Sequence, residues 1–103
     1  MNWTKLHVKS QALAIQAELA VRSGDADSSK DLYLRAARFE KKALKTIDSS
    51  KIRTYEIIAI SVVSLFSKAE QPEIARGLID FFLSKKTLSA AADEALLTMR
   101  GFL

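Results

Sequence analysis

Four residues make up nearly all the punctuation of this chain: Gly24, Pro72, Gly77 and Gly101. An all-β fold needs many turns, and turns draw heavily on Gly and Pro. So few breakers, set this far apart, suit a handful of helices joined by short loops. The 103 residues fit one folding unit. With 49 % apolar residues, they can fill one core. A domain of this size buries a smaller share of its surface than a larger one, so modest stability is expected.

Residues 3–22 carry Trp3, Leu6, Leu13, Ile15, Leu19 and Val21, interleaved with Ala12, Ala14, Ala17 and Ala20. Alanine is the best helix former, so this stretch is expected to be helical. Gly24 ends it by tolerating positive φ. Asp25, Asp27 or Ser28 then caps the next helix by accepting its free N–H groups. A loop this short makes the two helices antiparallel neighbours.

The second helix is expected over 28–47. At 100° per residue, Leu32, Tyr33, Ala36, Ala37, Phe39, Ala43, Leu44 and Ile47 share one broad face. Arg35, Arg38, Lys42 and Lys45 take the other, with Lys41 at its margin. Residues 48–51, Asp-Ser-Ser-Lys, form a break. Residues 52–68 pull two ways. Ile57, Ile58, Ile60, Val62 and Val63 are β-branched and favour a strand. The run is far longer than the usual strand of about 5–6 residues. Coiled as a helix, it lines up Ile52, Tyr55, Ile58, Ala59, Val62, Val63 and Phe66, with Ser61, Ser64, Ser67 and Lys68 mostly opposite. Helix is the expectation.

Pro72 suits the first position of a fourth helix, where its missing N–H costs nothing. Ile74, Ala75, Leu78, Ile79, Phe82 and Leu83 follow, to an end near Lys85. Ser89 or Thr87 caps a fifth helix with Leu88, Ala92, Ala95, Leu96 and Met99, closed by Gly101. The reading is an all-α single domain: antiparallel hairpins over 3–47 and 52–85, and a capping helix over 88–101.

Laid turn on turn, the two hairpins align Gly24-Asp25 with Glu70-Gln71, Tyr33 with Ile79 and Ala36 with Phe82. In this the chain resembles the tetratricopeptide repeat family. That family's unit is about 34 residues of helix–turn–helix. It carries a Gly-Asp-type turn, followed by an aromatic and then a small residue. Gly24, Asp25, Tyr33 and Ala36 supply that set, and Ala75 and Ser29 hold equivalent small-residue places. The family's Trp and Leu-Gly pair are not evident, and Glu70 follows Gly24 by 46 residues. The resemblance implies a short right-handed superhelix whose last helix caps the stack. The first hairpin is also similar to three-helix microtubule-interacting-and-trafficking domains, although five helices exceed that fold.

Chemistry is sparse. There is no cysteine, so there is neither a disulfide nor a thiolate. The opening "MNWTKLHVKS" lacks a signal-peptide apolar core. The most hydrophobic stretch, 57–66, falls short of the about 18–20 residues of a membrane span. A soluble cytoplasmic protein is expected. No phosphate loop, HExxH or GxSxG occurs. His7 is the only histidine, with no orienting partner or nucleophile near it in sequence, and is expected on the surface or half-buried. Asp25, Asp27, Ser29 and Asp31 have the spacing of a calcium loop, but Lys30 and Ala36 stand where it needs Gly and Glu. Neither a metal, a cofactor nor a catalytic set is expected.

Glu40 falls by helical phase in the middle of the apolar arc. A carboxylate there must be paired, hydrogen-bonded or neutralised. The plain expectation is a pair with an Arg such as Arg53, or burial only in part; the sharper one is a ligand-facing acid, which as an enzyme's acid or base would need a concave pocket. Seven of the sixteen basic residues lie between positions 35 and 53, against Glu40 and Asp48 alone. The stripe of Arg35, Arg38, Lys41, Lys42 and Lys45 is either a solvated face or an electrostatic footprint. Phe81 lies beside the core phase of Phe82 and is a candidate contact for another chain, as are Phe102 and Leu103. These residues make up the expected partner surface of a non-catalytic adaptor or scaffold module holding a partner peptide or helix. Self-association is compatible with so short a stack. The alternative is a small basic nucleic-acid-binding protein. Tyr33 and Phe39, placed inward by phase, would then be missing from its surface.

Overall fold

The computed structural model describes residues 2–48 and 50–103. Among them are five helices and no strand: α1 (Trp3–Arg22), α2 (Ala26–Thr46), α3 (Ile52–Lys68), α4 (Pro72–Ser84) and α5 (Ala90–Gly101). α2 starts two residues earlier than position 28 because Asp25 is its cap, accepting the Ser28 N–H at 3.1 Å. Ser28, through its hydroxyl first and its N–H second, holds the Asp25 carboxyl below the usual carboxylate range. Ser89 caps α5 by accepting from the Ala92 N–H. Within the break at 48–51, Ser49 lies outside the described residues.

The two turns aligned in sequence share one backbone design. After α1, Gly24 sits at φ 80°, its N–H bonded to the Val21 carbonyl and that of Asp25 to the Ala20 carbonyl. After α3, Glu70 sits at φ 57°, its N–H bonded to the Ser67 carbonyl and that of Gln71 to the Phe66 carbonyl. Both are Schellman closures, which satisfy the last carbonyls of a helix by a left-handed residue just past its end.

Packing follows chain order. α1 lies on α2, α2 on α3 and α3 on α4, while α5 contacts both α3 and α4. One cluster of buried residues draws on all five, from Leu13 and Ala17 in α1 to Leu96 in α5. Ala17, Ala36, Ala37, Ala59 and Ala75 are wholly buried at the helix contacts. The β-branched run in α3 is helical because Ile58, Val62 and Val63 are buried where neighbouring helices meet; packing outweighs a propensity difference of a few tenths of a kcal/mol per residue.

Several large apolar residues are open to solvent. Ile15, Leu19 and Val21 are each more than half exposed, as is Val8. α2 is the main neighbour of α1, so much of the surface of α1 stays uncovered. Ile52 and Ile74, in the first turns of their helices, are exposed too. No helix among the described residues is long and apolar enough to cross a membrane.

Candidate functional site

α2 presents the stripe as its phase predicts. Arg35, Arg38, Lys42 and Lys45 are exposed and Lys41 is half-buried. Among the described residues, none of the five is in an ion pair. Arg35, Arg38, Phe39 and Lys42 line a shallow hollow of about 150 Å³. Phe39 does not pack fully inward as expected. It is half-buried, with the Lys9 and Lys42 ammonium groups 5.5 and 5.7 Å from its ring centre. Its position at the edge of the apolar arc, one residue after Arg38, is the signal for this. Tyr33 does go inward, and burial pushes its phenol up in pKa, with the Glu18 charge adding to the effect.

Toward its C-terminal end the stripe borders an apolar hollow of about 320 Å³. Lys41, Leu44, Lys45 and Ile47 form one wall, Tyr55 of α3 another, and Leu78, Phe81 and Phe82 of α4 the third. Phe82 is buried as core and Phe81 is 54 % exposed, so the two adjacent rings divide as their phases predict. Lys85 lies 5.1 Å from the Phe81 ring centre and 5.5 Å from that of Tyr55. Both are within range of a cation–π attraction. A second hollow of about 300 Å³, lined by Ile52, Tyr55, Lys85, Thr87 and Leu88, shares Tyr55 with the first. Ile52, Tyr55 and Lys85 were not singled out from the sequence as a surface, because they come from helix ends that only the fold brings beside Phe81. Phe102 is strongly exposed, next to a smaller hollow it lines with Leu103 and Met99.

Glu40 is fully buried, as its phase requires, but its partner is not Arg53. His7 of α1 reaches its carboxylate through Nδ1, at 2.8 Å from Oε1 and 3.1 Å from Oε2. Ser61 of α3 donates to Oε2 at 2.6 Å, and Gln11 of α1 donates to the same oxygen at 3.4 Å. A carboxylate only accepts, so His7 Nδ1 carries the proton in this contact. Three helices thus meet on one acid. Ser61, expected mostly opposite the packed face, is turned to the clasp instead. Arg53 lines a separate hollow with Glu56 and Ile57. Glu56 accepts from both the N–H and the hydroxyl of Ser89, which ties α3 to the start of α5.

The clasp has the residue types of acid–base chemistry without its layout. The Ser61 hydroxyl donates its hydrogen bond to Glu40 and is not directed at His7. None of the five principal hollows among the described residues is lined by Glu40. The open pocket that an acid or base at this position needs is therefore not among them. One turn along α1 from His7, the fully buried Ser10 hydroxyl has no hydrogen-bond partner. No group of acids and histidines among the described residues could hold a metal ion. Comparison with known proteins returns no family profile, no curated protein and no solved structure that matches this chain.

Proposed function

We propose that the chain is a non-catalytic interaction module, an adaptor or scaffold whose stacked hairpins form a short right-handed, tetratricopeptide-like coil and hold an acidic partner peptide or helix. The observation that carries this reading is the cationic flank of α2. Arg35, Arg38, Lys42 and Lys45 stand in solvent without an acidic partner among the described residues. Cations grouped this way raise the local concentration of an acidic partner and speed its arrival. The test is a triple reversal, Arg38→Glu, Lys42→Glu and Lys45→Glu, read as affinity for a fluorescent acidic peptide. A loss of roughly tenfold or more at unchanged helix content is expected, since three reversals set like charge against an acidic partner. Unchanged affinity would mean that the stripe is only a solvated face.

One observation favours a second reading, nucleic-acid binding. Phe39 lies between Lys9 and Lys42 beside two arginines, which is the pairing of ring and cation that single strands stack on. A salt titration separates the two, because phosphate contacts make log K fall steeply with log salt.

A further inference from the structure

We infer that the hollow between the ends of α2, α3 and α4 is the anchor site of the interaction module, and that its occupant is an acidic segment of another protein inserting a bulky apolar side chain. This deepens the reading above and rests on it. The walls and floor are apolar: Leu44, Ile47, Tyr55, Leu78 and the open face of Phe81 over buried Phe82. The surroundings of the hollow are cationic: Lys41 and Lys45 line it on the α2 side, and the Lys85 ammonium lies over the rings of Tyr55 and Phe81, which line it as well. Among the described residues none of the three lysines is in an ion pair.

Four acids on or beside these helices are already engaged: Asp48, next to Ile47, accepts from the N–H and hydroxyl of Ser50, and the other three sit on the helices themselves. Glu40 is enclosed by its clasp, Glu56 holds Ser89 and Asp80 faces Arg100. The lysine charge is therefore left for an incoming carboxylate, while the floor remains for a side chain that prefers to leave water. A phosphate backbone would satisfy the lysines and leave the apolar floor wet. A second copy of this chain, at net charge +4, would bring a like-charged surface. The second hollow beyond Tyr55 and Lys85 extends the same chemistry, an apolar seat on the far side of a cation. A segment with two apolar anchors separated by acidic residues matches both seats, with Lys85 drawn off the rings toward the intervening carboxylate.

The experiment is selection of a random displayed peptide library on the full chain. Winners are then synthesised and measured by fluorescence anisotropy against Phe81→Ser, Lys85→Glu and Arg35→Glu/Arg38→Glu variants. Phe81 is exposed, so Phe81→Ser spares the core, and circular dichroism verifies the fold of each variant. Expected are winners in which Asp or Glu flanks bulky apolar residues, weakened roughly tenfold or more by Phe81→Ser and again by Lys85→Glu. Winners without acidic residues, or acidic winners indifferent to both groove variants, overturn the anchor site. If the indifferent winners are still lost with Arg35→Glu/Arg38→Glu, the interaction module survives and only the anchor site falls. If no peptide is enriched while a single-stranded oligonucleotide binds with a steep salt slope, both readings fall together.

Discussion

Glu40 is the residue on which the arrangement of the first three helices turns. Its carboxylate is removed from water and compensated by His7, Gln11 and Ser61. Breaking such a group from its partners costs more than it would to replace the whole set with apolar residues. Glu40→Ala strips three donors of their acceptor and leaves a hole. A loss of about 2–5 kcal/mol is expected in urea unfolding, from the cavity and the unpaired donors. Glu40→Gln keeps the volume and one acceptor oxygen, and should cost less. His7→Ala should cost about 1–2 kcal/mol, because water can reach the half-buried imidazole position and replace part of its bond. A His7→Ala loss as large as that of Glu40→Ala would mean that the imidazole supplies nearly all the compensation. Helical phase was enough to place Glu40 inside. It could not name His7, which arrives from a different helix 33 residues earlier. Periodicity reports which face of a helix is covered and is blind to what covers it. The same blindness made Arg53, nearer along the chain, look like the natural partner.

At the scale of elements, the helix boundaries were the most legible part of the fold, because caps and stops act locally. Pro72, Ser89, Asp25 and Gly24 each do their work within a turn of their own position. The closure after α3 was half legible. Alignment put Glu70 over Gly24, but no glycine marked the left-handed position, and only the structure reveals the shared geometry. An L-residue there pays about 1 kcal/mol that glycine avoids. Gly24→Ala is therefore expected to lower stability by about 1 kcal/mol, from backbone strain alone, since the space around Gly24 is open. Glu70→Gly should raise stability by up to about 1 kcal/mol. The exposed contact with Lys30 that it gives up contributes little. Thermal melts of the two variants moving in opposite directions would check both; a Glu70→Gly melt below that of the parent would show that the side chain matters more than the strain.

Across the whole molecule, one buried cluster links all five helices, so the chain should unfold as a unit. Trp3 on α1 packs against that cluster and reports on its near end. Its fluorescence and the far-ultraviolet circular dichroism of all the helices should give the same urea midpoint. Separate midpoints would divide the chain into two cooperative parts. The exposure of Val8, Ile15 and Leu19 was not legible, since apolar periodicity cannot tell an outermost helix from a sandwiched one. Nor was the groove, which is assembled from helix ends that sequence spacing keeps apart. The three-helix meeting at Glu40 also bears on the route by which the protein assembles. With only the first hairpin formed, the acid lacks the Ser61 hydroxyl; with only α2 and α3 joined, it lacks the imidazole and Gln11. Either half-built form leaves the Glu40 carboxyl with fewer partners than the finished structure gives it, so docking of the missing helix is favoured at this one point.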